Sequence, residues 1–248
     1  MCTVTWFRAE QGYELLCNRD EKHLRSVAQP PAIVEGEWLR FVAPRDPDGG
    51  GTWLAVNERA LCVTLLNVYD SACTQPSHPI SRGTLVWSLA GSAATARQAA
   101  EQLRHTSLEE FAPFTLALLD LTETIVCQWD RTSLQIRDRI ADALLPLTSS
   151  SYETDDVCAN RRRDYLRRTA NSRTMAELLD FHTSHGAWPS AYSTCMHRAD
   201  AATVSFSWIR ASRDEIRFFY SPSAPCEWSA SAHSVSLPLT TGAITPCH

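Results

Sequence analysis

A cysteine next to the start of the chain, in the first strand of a hairpin, constrains this sequence more than any other feature. Cys2-Thr3-Val4-Thr5-Trp6-Phe7 is rich in β-branched and aromatic residues and predicts a strand. Tyr13-Glu14-Leu15-Leu16-Cys17 predicts a second, with Glu10-Gln11-Gly12 as the turn. Loop length decides what faces Cys2. A two-residue loop (Gln11 and Gly12) sets it opposite Glu21, a three-residue loop opposite Asp20, and a four-residue loop opposite Arg19. Every register therefore brings the thiol to the Asn18-Arg19-Asp20-Glu21 cluster.

That juxtaposition has a chemical use. Removal of Met1 would leave Cys2 with a thiol and a free α-amine, whose reference pKa of about 7.7–8.0 suits a base near neutrality. Arg19 would favour the thiolate, because a neighbouring cation lowers a cysteine pKa, and Asp20 or Glu21 would position the ammonium. The same residues also read as a half-buried hairpin followed by a solvated charged turn, with no chemistry at all.

The remaining cysteines bear on compartment. The nine cysteines form an odd, scattered set without a C-x-x-C pair, and the charged N-terminus does not resemble a secretory signal. These features predict a cytoplasmic chain with reduced thiols. No apolar run reaches the roughly 18–20 residues that span a bilayer. A net charge of −5 argues against a nucleic-acid partner. The length of 248 residues, with 44% hydrophobic and 21% charged content, fits one soluble domain over residues 1–248.

Downstream, Gln29-Pro30-Pro31 breaks the pattern before a hairpin of Ala32–Val34 and Trp38–Val42. A loop through Asp46-Pro47-Asp48-Gly49-Gly50-Gly51 follows; its glycines permit close backbone approach, so it either lines a site or acts as a flexible linker. Thr52–Val56 and Leu61–Asn67 predict two strands. Asn67, at a strand end, is a turn cap or an oxyanion donor. The pattern turns helical from Gly83 to His105. Phe114–Leu119 and Thr124–Trp129 are strands, and helices follow over Asn160–Arg168 and Met175–His185. The arginine-rich helix reads as a solvated face. His182, His185 and His197 complete no familiar ligand spacing, so no metal is expected. Three strands, 202–209, 215–220 and 235–237, end the pattern.

Met1-Cys2-Thr3, Asn18-Arg19-Asp20-Glu21, Gly50-Gly51-Thr52-Trp53-Leu54, Val56-Asn57-Glu58, Leu66-Asn67 and Ser81-Arg82-Gly83 together resemble the NRDE family, which includes the transport and Golgi organisation 2 proteins. The resemblance implies an α+β fold, a four-layer α-β-β-α sandwich of two mainly antiparallel sheets of the N-terminal-nucleophile hydrolase type, with distant likeness to bile-salt and penicillin V acylases. It implies Cys2 as nucleophile, Asn67 at the oxyanion, and Arg19 and Asp20 flanking the thiol, with Asn18 and Glu21 in support. The order Asn-Arg-Asp-Glu departs from the acylase arrangement and leaves open which carboxylate holds the amine. Ser150 stands where the acylases place a further asparagine, Arg198 matches a late active-site arginine, and Ala60 stands where a turn glycine is usual.

The implied activity is hydrolysis or acyl transfer on a small non-peptide amide or ester, with no cofactor. The family also implies an alternative, a non-catalytic carrier of haem or another hydrophobic ligand. For that role the chain offers His23, His78, His197 and several cysteines as axial ligands, but no C-x-x-C-H motif.

Overall fold

The structure, a computed structural model, describes residues 2–69, 76–77, 79–138, 141–228 and 233–240. Two hairpins begin the chain: β1 (Cys2–Ala9) with β2 (Gly12–Lys22), then β3 (Gln29–Glu35) with β4 (Arg40–Arg45). β5 (Leu54–Asn57) and β6 (Cys62–Asn67) lead to helices α1 (Gly83–Ser92) and α2 (Ala96–Arg104). A second run of strands, β7 (Phe114–Leu119), β8 (Thr124–Trp129), β9 (Leu134–Arg137) and the short β10 (Leu147–Thr148), precedes α3 (Thr154–Arg168) and α4 (Met175–Thr183). β11 (Ala201–Ser212), β12 (Glu215–Ser221) and β13 (His233–Pro238) finish the described chain.

These strands form two sheets, ordered β10-β1-β2-β11-β12-β13 and β3-β4-β5-β6-β7-β8-β9, with every pairing antiparallel. Their inner faces share a core. Val4, Trp6, Leu15 and Cys17 of the first sheet pack with Val42, Leu54, Val56 and Cys62 of the second. α1 and α2 cover the outer face of the seven-stranded sheet, while α3 and α4 lie over β1 and β2. This is the α+β four-layer arrangement expected. No helix among the described residues is long and apolar enough to cross a membrane.

Three local details differ from the sequence reading. Pro30 and Pro31 do not end the structure; they lie within β3, an edge strand whose register shifts between Gln29 and Ala32. An edge tolerates missing N–H donors. The helical stretch after Gly83 is two helices: Ala93 is extended, and Thr95 caps α2 by accepting from Gln98 N at 3.1 Å. The arginine face is solvated as expected at Arg162, Arg163 and Arg167, but not at Arg161. Arg161 is 1% exposed, and Arg162 donates to the Leu145 and Ala143 carbonyls.

Several motif residues serve the fold. Asn57 accepts from Arg59 N and Leu61 N, both at 3.0 Å, and donates to the Ala90 and Ala93 carbonyls, tying the β5–β6 turn to the end of α1. Ala60 takes the left-handed φ of 60° where glycine is usual. Gly51 and Gly83 pack backbone to backbone: a Cβ on Gly51 would lie 2.4 Å from the Gly83 carbonyl carbon. That contact seats the glycine-rich loop on the start of α1.

Candidate active site

The hairpin closes with Ala9 opposite Gly12, which pairs Cys2 with Arg19 and Thr3 with Asn18. Side chains alternate along a strand, so this register sorts the Asn-Arg-Asp-Glu motif onto two faces. Arg19 joins Cys2 between the sheets. Asn18 and Asp20 turn to the helical layer.

On the inner face, Cys2 is 5% exposed and borders a cavity of about 450 Å³, lined also by Arg19, Glu21, Trp53, Asn67 and Arg82. The Arg19 guanidinium lies 4.4 Å from the Trp53 ring centroid and pairs with Glu21 at 3.4 Å and Asp46 at 3.7 Å. Asp46 opens the glycine-rich loop, and Gly49 and Gly51 line the cavity; the loop is part of the site's wall. Asn67, partly exposed, contacts the Tyr69 hydroxyl at 3.2 Å and also lines a neighbouring cavity of about 960 Å³ beside Ser149, Ser150 and Thr154. The two cavities thus meet at Asn67.

Ser149 was not singled out from sequence, yet it holds Cys2 directly. The Cys2 nitrogen donates to Ser149 Oγ at 3.0 Å, and Ser149 N donates to the Cys2 carbonyl at 2.9 Å. Ser150, one residue on, uses its hydroxyl locally: it donates to the Tyr152 carbonyl at 2.7 Å and accepts from Tyr152 N at 3.1 Å. Arg198 pairs with Asp200 at 2.7 Å, stacks over Tyr152, and lies outside the lining of both cavities.

The electrostatics distinguish two cysteines. The Cys2 thiol is held below its usual pKa, chiefly by a hydrogen bond from the Cys17 thiol and against the opposing cost of burial, with Arg19 adding to the lowering. Cys17 is pushed well above its usual value by that same bond and by burial. The Cys17 thiol is therefore the donor in this pair. Cys62 is also pushed up by burial, against the Tyr13 hydroxyl, and is chemically quiet.

On the outer face, Asp20 meets Arg161 of α3 at 3.0 Å, both side chains 1% exposed, and accepts from Thr203 at 2.6 Å. Arg161 also donates to Thr3 at 2.6 Å and to the Ala191 carbonyl at 3.2 Å. Asn18 donates to the His182 and Thr194 carbonyls, both at 2.9 Å. Its Oδ1 must then accept from His182 Nδ1 at 2.8 Å, leaving His182 Nε2 to accept from Thr5 Oγ1 at 2.8 Å. Burial, reinforced by the Arg161 charge, pushes His182 down to about 3, so the ring is neutral. Neither Arg161 nor His182 was readable as a partner of the motif.

Of the histidines proposed for haem, His78 lies outside the described residues. His23 and His197 both line a separate cavity of about 360 Å³; His23 Nε2 contacts the Arg198 carbonyl at 3.3 Å, and His197 Nε2 faces the Cys195 and Cys226 sulfurs.

No curated protein sequence matches the chain. Solved structures do match in fold. Penicillin V acylase from Agrobacterium tumefaciens has a TM-score of 0.58 at 14% identity, covering 96% of this chain and 86% of its own. A mutant of the conjugated bile acid hydrolase from Clostridium perfringens scores 0.62 at 10% identity, covering 96% and 92%. The Caenorhabditis elegans ortholog of N-acylethanolamine-hydrolyzing acid amidase scores 0.55 at 12% identity, covering 96% and 100%. The architecture is thus that of N-terminal-nucleophile hydrolases. The sequence profile of Transport and Golgi organisation 2 matches residues 1–201, and the chain belongs to that family.

Proposed function

We propose that this protein, after loss of Met1, uses Cys2 as an N-terminal nucleophile to cleave or transfer the acyl group of a small non-peptide amide or ester. The carrying observation is the set of groups around one residue. Cys2 has a lowered thiol pKa, its nitrogen is 3.0 Å from Ser149 Oγ, and it shares a cavity with Arg19 and Asn67.

In this reading Ser149 Oγ accepts from the α-amine and aims its lone pair at the thiol. The thiolate attacks the acyl carbonyl and forms a carbon–sulfur bond as the carbonyl π electrons move to oxygen. Asn67 donates to that oxyanion. Collapse expels the amine or alcohol, which takes a proton from the Cys2 ammonium, and leaves a thioester on Cys2. The free α-amine then takes a proton from water; the hydroxide releases the acid and regenerates the thiolate. Arg19, held by Trp53, Glu21 and Asp46, keeps positive charge beside the sulfur throughout. The two cavities that share Asn67 in their walls offer room for an acyl group and a leaving group. The named substrates of the structural relatives, bile acid conjugates and N-acylethanolamines, define the compound classes to try first. The carrier alternative rests on less: His23 and His197 line a cavity of about 360 Å³ apart from Cys2, with no comparable convergence of groups on one atom.

Intact mass spectrometry with a panel of N-acyl amides and esters provides the test. The expected result is a mature chain lacking Met1, an acyl adduct that disappears in Cys2→Ala, and turnover that is abolished in that variant while the fold persists. Active protein that retains Met1, or hydrolysis unaffected by Cys2→Ala, would overturn the reading.

A further inference from the structure

Away from Cys2, three segments distant in sequence bring two histidines and two cysteines to one point. His185 follows the end of α4, Cys195 and His197 lie on the segment leading into β11, and Cys226 sits in the short 3-10 turn Pro225–Glu227 after β12. One donor atom from each lies within 4.8 Å of the other three. We propose that His185, Cys195, His197 and Cys226 form a structural zinc site.

The distances support a metal over a chance gathering. With Zn–S of about 2.3 Å and Zn–N of about 2.0–2.1 Å, a tetrahedral ion sets sulfur and nitrogen ligands about 3.6 Å apart. His197 Nε2 lies 3.4 Å from Cys195 Sγ and 3.5 Å from Cys226 Sγ. The His185 and His197 rings approach to 5.1 Å between centroids, edge to face, so they meet without stacking. Independently, His185 Nε2 is buried without a hydrogen-bond partner among the described residues. A metal ion would supply that partner. Two thiolates with two neutral imidazoles also balance the charge of a divalent ion, and no carboxylate belongs to the cluster.

The chain holds these ligands in place without help from the ion. Cys195 N donates to the Ser184 carbonyl at 2.9 Å and Thr203 N to the Met196 carbonyl at 2.8 Å. Cys195 and His197 lie two residues apart, and the His197 ring reaches the Cys195 sulfur directly. Cys226 is exposed, which gives an ion a way in. Four protein ligands leave no open position for substrate, so the role is structural. Soft sulfur with imidazole in a tetrahedral set favours zinc over magnesium or calcium. The ion would fasten the end of α4 to the segment before β11 and to the 225–227 turn. That segment is the one whose Met196 N donates to Thr203 Oγ1 at 2.8 Å, and Thr203 in turn donates to Asp20.

The test uses the full chain, purified under reducing conditions, stripped with a chelator and reloaded with zinc chloride. We expect one zinc per chain surviving gel filtration, and a higher Tm for the loaded protein. Cobalt substitution should give the intense visible bands of a tetrahedral ion with thiolate charge transfer. Cys226→Ser and His185→Gln should each weaken zinc binding by about 100-fold or more, since even outer-shell changes cost about 10–100-fold. Cys2→Ala should retain the full metal content, which separates this site from the candidate nucleophile. Substoichiometric zinc in the wild type, an octahedral cobalt spectrum, unchanged zinc affinity in both ligand variants, or a Cys195–Cys226 disulfide that persists in reductant would each overturn the proposal. The cobalt spectrum is read on the wild type and does not depend on a variant folding.

Discussion

The two helical layers are fastened to their sheets by different forces. α1 and α2 meet the seven-stranded sheet mainly through apolar contacts, Leu85, Val86, Leu89, Ala99 and Leu103 against Phe41, Leu61, Val63, Leu116 and Leu118, with Asn57 and Asp120 bonding only to the backbone at the helix ends. α3 and α4 meet the hairpin of β1 and β2 partly through buried polar groups, Arg161 with Asp20 and Thr3, and His182 with Asn18 and Thr5. Apolar packing is forgiving of small slides. Hydrogen bonds between fixed donors and acceptors are not. The polar layer lies behind the residues whose neighbours form the candidate site, and a one-residue slip of β2 would put Asn18 or Asp20, not Arg19, beside Cys2. The contrast suggests that one layer supplies stability and the other also fixes register.

The strongest way to break that comparison is to cut each layer once. Arg161→Ala leaves the Asp20 carboxylate buried without its cation, and such a loss costs about 3–5 kcal/mol. Leu103→Ala, at a fully buried position of α2, should cost about 2–5 kcal/mol by leaving a cavity. Urea denaturation therefore sees similar damage from both. Under the proposed function, turnover of the folded protein should separate them, with Arg161→Ala losing activity and Leu103→Ala retaining it. The paired replacement Asp20→Leu with Arg161→Met sharpens the point, because an apolar pair often restores stability. Recovered stability together with recovered turnover would show that the polar pair does not set the site.

A second prediction uses pH. His182 titrates from 6.5 in the unfolded chain to about 3 in the fold. Between those values the unfolded state binds a proton that the native state refuses, so stability falls as pH drops, by about 1.4 kcal/mol per unit below 6.5. Above 6.5 the histidine adds no slope. His182→Gln keeps a neutral amide at the position and should flatten the acid limb by the equivalent of one proton. Parallel curves for the two proteins from pH 6.5 to 4 would mean that His182 is protonated in the native state.

These forces explain what the sequence disclosed. The hairpin, the strand–helix order and the identity of the Cys2 cluster are local, carried by alternation, turn residues and contiguous motifs. Arg161 meets Asp20 across 141 positions, and nothing in the run Arg161-Arg162-Arg163 marks which arginine turns inward. Ser149 meets Cys2 across 147 positions, through a two-residue strand too short to carry a pattern. The same distance hid the cysteine and histidine cluster, since Cys226 joins His197 from 29 positions away. Which carboxylate serves the hairpin was open in the sequence because it depended on register. With Cys2 opposite Arg19, Glu21 falls on the cavity side and Asp20 on the helix side.

The smallest effect isolates a single bond of the polar layer. Asn18 Nδ2 is committed to two carbonyls, so His182 Nδ1 carries the proton and Nε2 is an acceptor whose hydrogen comes from Thr5 at 2.8 Å. Thr5→Val keeps the shape and the β-branch but deletes that hydrogen, leaving Nε2 buried and unpaired at a cost of about 1–3 kcal/mol. Thr5→Ser keeps the hydroxyl and should lose less. Nitrogen-15 chemical shifts of the ring report the tautomer directly, with Nδ1 protonated in wild type and in both variants. A Thr5→Val protein as stable as wild type, or a ring protonated at Nε2, would mean that the hydrogen bonds run the other way. Asn18 would then have to be flipped, giving up its two carbonyl partners. Because each donor in this layer constrains the next, the direction of one hydroxyl tests the orientation of the whole chain from Thr5 through His182 to Asn18, beside the arginine that faces Cys2.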